Sequence, residues 1–217
     1  MIYITLGVPG AGKGAIARKL KSFFNFDILA TGEYMRDEVL HDTPLGQRIK
    51  QHVLEGTFVE DDIAIELFKE HLDRNKDVII EGFPRNMKQL KALEEILDDN
   101  GLRIEAALYF DVSPEIAKDR IEGRLVCPNC HAVYHATYFP TEDGTHCTKC
   151  NTVVEHRMDD TPENIANRIK YFYSDTYPLV DYYKELGLLR VIDANQSTMD
   201  MYYQVLETSQ KFTSRAF

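Results

Sequence analysis

At 217 residues, with 44% hydrophobic and 28% charged side chains, the chain has a globular composition and length enough for one α/β core with one or two inserted lobes. Its 25 basic and 35 acidic residues give a formal charge of −10, which argues against a nucleic-acid-binding face but not against a few arginines converging on a small anion. Charged or polar residues, beginning with Lys13 and Arg18, interrupt every apolar stretch, so no membrane span or leading signal segment is expected and the protein reads as cytoplasmic.

The apolar run Ile2 to Leu6 reads as a strand. Gly7-Val8-Pro9-Gly10-Ala11-Gly12-Lys13-Gly14 follows it and opens an amphipathic segment near Lys13. Strand, loop and helix in that order make a phosphate-binding loop, in which the backbone turns its N–H groups inward around a polyphosphate along a path that side chains would obstruct. The helix adds its positive end, and Lys13 reaches the β- and γ-phosphates. A glycine-rich turn without a ligand would leave this order unexplained. The general motif follows its lysine with Ser or Thr, whose hydroxyl approaches Mg²⁺. Here Gly14 and Ala15 carry no hydroxyl, so a metal must rely on phosphates, water and another group.

Next, Ile16, Leu20, Phe23 and Phe24 recur at helical spacing and are expected to face a sheet. Phe26 to Ala30 reads as a second strand, with Thr31 set to cap the following helix. Leu45 to Leu54 is a helix stopped by Gly56, and a further helix from Asp61 turns Ala64, Leu67, Phe68 and Leu72 inward. Val78-Ile79-Ile80 is a continuous apolar strand ending at Glu81, where P-loop enzymes place a metal-organising carboxylate. Gly82-Phe83-Pro84-Arg85 then adds a fixed turn and a guanidinium, which sets Glu81 apart from an ordinary solvated turn residue.

Leu90, Leu93 and Leu97 mark another helix, and Ala106 to Phe110 another strand. Ser113-Pro114-Glu115 is a helix start, with a cap hydroxyl, a first-turn proline and a carboxylate at the positive end. That helix is expected to carry Arg120 and Arg124 at i and i+4 on one face. All four cysteines then occur as Cys127-Pro-Asn-Cys130 and Cys147-Thr-Lys-Cys150, sixteen residues apart. Such paired knuckles bring four thiolates to a tetrahedron that suits a structural Zn²⁺, iron being the other occupant of a sulfur-only site. Disulfides would need an oxidising compartment that nothing else suggests. His131, His135, His146 and His156 read as surface or packing residues, because four cysteines suffice.

Arg157-Met158-Asp159-Asp160 closes this segment. Thr161-Pro162-Glu163 opens a long helix with Ile165, Ile169 and Phe172 inward and Arg168 directed elsewhere. Val191-Ile192-Asp193 is a last strand, and Met199 to about Phe212 a last helix. Alternating strands and helices predict an α/β fold, a parallel sheet with helices on both faces.

As a set, these motifs resemble adenylate kinase in its long form with a zinc-bearing lid, from Met1 to about residue 206. They are Gly7 to Gly14; Thr31-Gly32 with Arg36; Gly82-Phe83-Pro84-Arg85 with Gln89; Gly123-Arg124; the cysteines with Tyr134-His135; and Arg157 through Asp160 with Arg168. The resemblance implies a P-loop NTPase-type core (1–30, 70–124 and 159–217), an inserted helical AMP-binding lobe (31–69) and a zinc-binding lid (125–158). It implies reversible, Mg²⁺-dependent transfer of the γ-phosphoryl group of ATP to AMP, giving two ADP.

By the same resemblance, Gly10, Ala11, Gly12, Lys13, Gly14 and Ala15 cradle the ATP phosphates, while Arg120 and the backbone near Gln196 take the donor base. Thr31, Arg36, Gly82, Arg85 and Gln89, with the backbone at Thr57 to Val59, hold AMP. Arg124, Arg157 and Arg168 converge on the transferring group beside Lys13 and Arg85, and Arg157 and Arg168 also reach AMP. Asp159 and Asp160 orient the lid arginines, Glu81 holds Mg²⁺ indirectly, and Cys127, Cys130, Cys147 and Cys150 hold zinc. The resemblance implies a monomer, with the tail Ser209 to Phe217 as a docking element should the chain form a small homo-oligomer. Ala15 stands where Thr or Ser is usual, Glu33 and Glu81 replace aspartates, and Leu125 replaces a second arginine, which implies rearranged metal coordination and loose donor-base selectivity. A GTP:AMP phosphotransferase keeps the chemistry with another donor. A non-catalytic nucleotide-sensing zinc-ribbon protein keeps only the loop and the cysteines, and the arginines flanking the lid count against it.

Overall fold

The computed structural model describes residues 1–208. Strands β1 (Ile2–Leu6), β2 (Phe26–Ala30), β3 (Asp77–Glu81), β4 (Ile104–Asp111) and, late in the chain, β7 (Leu189–Asp193) form one sheet in the order β2-β3-β1-β4-β7. Every pairing in it is parallel, so each return needs a crossover, and helices cover both faces. This is why β1 and β3 are almost wholly apolar. Ile2, Ile4 and Leu6 enter the core on one face with Phe68, Leu90, Leu93 and Leu179, while Tyr3 enters the other with Ile16, Leu20, Leu108 and Phe110. The strand order turns back at β1, with β3 on one side and β4 on the other. The crevice beyond their carboxyl ends is where such sheets bind ligands.

Five of the described helices begin at a capping side chain. Thr43, Asn86, Ser113, Thr161 and Ser197 each accept a backbone N–H at the start of α3 (Pro44–Glu55), α5 (Met87–Asp99), α6 (Pro114–Glu122), α7 (Pro162–Tyr171) and α9 (Thr198–Glu207). The others are α1 (Lys13–Phe23), α2 (Thr31–Leu40), α4 (Asp61–His71) and α8 (Tyr177–Glu185). Helices α2, α3 and α4 lie between β2 and β3. Asn164 and Asn167 of α7 donate to the carbonyls of Leu54 and Glu55 at the end of α3, tying that group of helices to the core. A short antiparallel pair, β5 (Arg124–Val126) and β6 (Val133–His135), starts the cysteine segment. Among the described residues no helix is long and apolar enough to cross a membrane.

Several expectations need correction. Phe23 is 66% exposed, resting against Tyr202; Phe24 has left the helix with an extended backbone and takes the buried place instead. Thr31 does not cap α2 but is its first residue, Ala30 being at the cap position, and the Thr31 hydroxyl turns to the Glu81 carbonyl at 3.5 Å. Arg120 and Arg124 do not share a helical face, because α6 stops at Glu122, Gly123 caps it and Arg124 begins β5. Ile165 is only half-buried; the buried side chain of α7 is Asn164. The long helix is interrupted by a π-helical turn, Phe172–Thr176, between α7 and α8. The last helix is described to Glu207, and the tail Ser209 to Phe217 lies outside the described residues.

Helices α2 and α3 approach so closely at Gly46 that an added Cβ would sit 2.0 Å from the Glu38 carbonyl oxygen, a backbone atom that cannot swing away. Gly46→Ala should therefore lower stability by about 2 kcal/mol or more, measured by denaturant unfolding against the parent.

Candidate active site

The loop after β1 is shaped by close approach. Gly10 adopts a left-handed backbone with φ +82°, and a Cβ there would lie 2.3 Å from the Ala117 carbonyl oxygen, so only glycine fits between loop and α6. Lys13 opens α1 and bends back over this loop, its Nζ donating to the carbonyls of Gly7 (2.7 Å) and Val8 (2.8 Å). Burial pushes the Lys13 ammonium down to about 7. Glu81 opposes that shift, and Arg168, Arg85 and Arg124 reinforce it.

Around the loop opens a cavity of about 1090 Å³ lined by Gly10, Gly12, Lys13, Gly14 and Ala15, and by Arg36, Arg85, Arg120, Arg124, Arg157 and Arg168. Four of these arginines lean on two carboxylates. Arg124 grips Asp160 with both Nε (2.7 Å) and Nη2 (2.5 Å), and Arg157 grips Asp159 in the same forked way at 2.7 and 3.0 Å. Arg168 Nη1 reaches both aspartates at 3.4 and 3.3 Å, and Arg36 Nη1 stands 3.8 Å from Asp159. Burial alone would raise the Asp159 carboxyl, but Arg157, Arg36 and Arg168 outweigh it and hold it at about 2. Burial and neighbouring guanidinium groups together push Arg36 down to about 10 and Arg168 to about 9. Four partly buried cations on two anions leave a surplus of positive charge facing the cavity, a well made for a polyanion.

Arg85 is fixed by its Nε donating to the Gly82 carbonyl (2.9 Å) and by the Phe58 ring, 5.1 Å from its guanidinium carbon. Arg120 is pinned at the other end by the carbonyls of Ala194 and Gln196, each at 2.8 Å. Glu81 and Gly82 line the cavity at the end of β3, and Gln196 lines it near Arg120. The remaining site residues stand behind the wall. Gln89 is buried, accepting from the Arg85 N–H (2.8 Å) and donating to Asp61 (2.9 Å). Thr31 and Val59 are buried, Thr57 pairs with His52, and Phe58 between them is the residue that reaches the cavity. Ala11, Asp159 and Asp160 are also outside the lining.

Sequence reasoning placed only the backbone at Phe58 in the site and missed its side chain, with Tyr138 and Arg18, as lining residues. Arg18 could have been found from its spacing, one helical turn after Gly14. The other two depend on loop conformations that have no periodic signal.

The cysteines come together as expected. All four Sγ atoms lie within 4.8 Å of one another, Cys127 to Cys150 at 3.4 Å and Cys130 to Cys147 and Cys150 at 3.5 Å, and none is in a disulfide. Both knuckles turn alike, since His131 N–H donates to the Cys127 carbonyl and Asn151 N–H to the Cys147 carbonyl, each residue with a left-handed backbone. Tyr134 is buried with its hydroxyl 3.2 Å from the Cys147 sulfur. Of the nearby histidines, His146 pairs with Asp143, and His131 stands 3.4 Å from Asp37 of α2; none joins the sulfur group.

A family model described as adenylate kinase matches residues 5–188. A protein named adenylate kinase from Mesoplasma florum is 38% identical over 210 residues, covering 95% of this chain and 99% of the relative. Relatives of the same name from Caldicellulosiruptor bescii (35% identical; 95% of this chain, 98% of the relative) and Archaeoglobus fulgidus (34% identical; 99% and 100%) match at similar extent.

The position of Lys13 makes stability depend on pH in a definite direction. It titrates at about 7 when folded, against 10.5 as the ordinary value, so within that window the unfolded chain holds the extra proton and stability from this group rises with pH. Unfolding of ligand-free parent and Lys13→Met protein at several pH values between 7 and 10 should show the parent gaining on the variant as pH rises. Parallel profiles would contradict a desolvated Lys13.

Proposed function

Because this chain belongs to the adenylate kinase family and transfers a phosphoryl group from ATP to AMP, giving two ADP, we propose how its residues divide that work. Lys13 and the backbone of Gly10 to Ala15 hold the donor phosphates, and Arg120 and the Gln196 backbone hold the donor base. Arg36, Arg85 and the region of Thr31, Gly82, Gln89 and Thr57 to Val59 hold AMP, the buried members acting by placing the walls. Arg124, Arg157 and Arg168, oriented by Asp159 and Asp160, neutralise the transferring group. The observation that carries this reading is the surplus of guanidinium groups on two aspartates beside Lys13. Phosphoryl transfer through a loose transition state asks for alignment and charge neutralisation, which such a cluster supplies without a base.

Mg²⁺ enters with ATP in this reading. Glu81 and Glu33 line the phosphate end of the cavity, and their hard oxygen atoms suit that ion directly or through water. When bound, Mg²⁺ supplies charge neutralisation on the β- and γ-phosphate oxygens. The four-sulfur cluster is read as a structural zinc site, because Zn–S bonds of about 2.3 Å put tetrahedral sulfurs about 3.8 Å apart, close to the spacing found. Four free thiols fit a reducing cytoplasm. Residues 31–69 and 125–158 act as lobes that close on AMP and ATP and exclude water, and the His131 contact with Asp37 spans the two. One chain supplies every group invoked, so this division of roles needs no residue from a partner subunit.

Formation of ADP from ATP plus AMP tests the assignment. Lys13→Ala and Arg124→Ala should each lower kcat by about 100-fold or more, while Arg85→Ala chiefly raises the KM for AMP. Unchanged activity in Lys13→Ala would refute the phosphate-loop reading. Since the donor base is read mostly by backbone near Gln196 and by stacking on Arg120, GTP, CTP and UTP should serve as donors within about tenfold of ATP, and a strict ATP preference would remove that part.

Zinc removal should lower the temperature at which the cysteine segment unfolds more than it changes chemistry in the folded enzyme. Calorimetry with and without a chelator checks this, and a single unchanged transition would count against a structural metal.

A further inference from the structure

Arg18 is a cation for which phosphoryl transfer as described above has no task. It follows Gly14 by one turn of α1, so it rises from the face that carries the last glycine of the loop. Its Nη2 makes an ion pair with Glu33 Oε1, in the first turn of α2. A Cβ built on Gly14 would lie 2.7 Å from Arg18 Nη1 and 2.9 Å from Glu81 Oε2, so the guanidinium and a second carboxylate flank one point over the loop. Lys13, Arg18, Glu33 and Glu81 all line the cavity. Helix α1, helix α2 and strand β3 thus place a fixed positive charge in contact with one carboxylate and close to the other at the phosphate end.

A guanidinium has no acceptor atom and stays charged at any working pH, so it cannot ligate a metal. Two carboxylates on one cavity wall would otherwise attract a hard divalent ion in the absence of nucleotide. Even at the dielectric constant of water, a unit positive charge about 5 Å from a divalent ion weakens its binding by about tenfold.

We propose that Arg18 tunes the phosphate end for divalent metal. It pairs with Glu33 and offsets part of the charge of Glu81 in the nucleotide-free protein, so that the ion is taken up together with the phosphates of ATP and not ahead of them. Arg18 is a positioning residue that acts through the two glutamates. The proposal rests on the reading of Glu81 as the metal-side carboxylate.

The test is Mn²⁺ binding to the zinc-loaded, nucleotide-free protein, followed by loss of the free-ion paramagnetic resonance signal. Arg18→Gln, which removes the charge and keeps a hydrogen-bonding arm, should tighten Mn²⁺ by about tenfold. Arg18→Lys, which keeps the charge, should stay within about twofold of the parent, and adding Glu81→Gln to Arg18→Gln should abolish the gain. A purely structural role would affect the Lys and Gln variants alike, and that result, like equal Mn²⁺ affinity in Arg18→Gln and the parent, overturns the proposal. Glu81→Gln alone, measured with a non-transferable ATP analogue, separates the two levels. If it weakens Mn²⁺ while the Arg18 variants change nothing, only the role of Arg18 falls. If it does not, the metal-side assignment of Glu81 falls and the proposal with it.

Discussion

Arg36, Arg124, Arg157 and Arg168 stay together because Asp159 and Asp160 stand between them, and the rest of the site depends on that sharing. Guanidinium groups buried side by side repel one another, and each loses hydration on burial. Two carboxylates, each holding one fork and further single guanidinium contacts, compensate part of this and leave the remainder as an electrostatic demand for an anion. A binding site is thereby built from an imbalance that the ligand's own charge corrects. Lys13 belongs to the same balance, since burial and the neighbouring arginines lower its proton affinity while Glu81 restores some of it.

The cluster draws on parts of the chain that are far apart in sequence. Arg36 comes from α2, Arg124 from the first position of β5, Arg157 from the end of the cysteine segment and Arg168 from α7. The π-helical turn after α7 contributes in a way no motif announces: Thr176 within it donates to the Arg85 carbonyl at 2.8 Å, linking the turn after β3 to the helix that carries Arg168. Such local departures from the α-helix are common at functional sites because they re-aim side chains without ending the helix. The segment with the four cysteines solves a different problem. It buries little apolar surface of its own, chiefly Ala132, Tyr134 and Val154 around Cys127 and Cys147, and a metal held by four thiolates supplies the cross-links that such a core lacks.

Much of the fold was legible because it rests on short-range chemistry. Apolar runs gave the sheet strands, and cap residues at Ser113 and Thr161 marked helix starts within a residue. The misjudgements share a cause. The readings of Phe23, Thr31 and Arg124 each extend a local pattern past the point where it holds, and each residue has a partner distant in sequence: Tyr202 beside Phe23, the Glu81 carbonyl for the Thr31 hydroxyl, and Asp160 for Arg124. At the site, Gln89 is held by Asp61 and the Arg85 backbone behind the cavity wall, an engagement that packing alone decides.

By itself the sequence determined which chemistry was available: a glycine loop with a lysine behind an apolar strand, a cluster of arginines, and four cysteines at ligand spacing. Those follow from residue type and separation along the chain, which fix backbone freedom, charge and local geometry. Only the tertiary structure decided which charges meet, that Asp159 and Asp160 each serve several arginines and that Arg18 pairs with Glu33 near Glu81. Coulomb energies depend on distances through space, and those are set by how the helices cross the sheet, not by the order of residues.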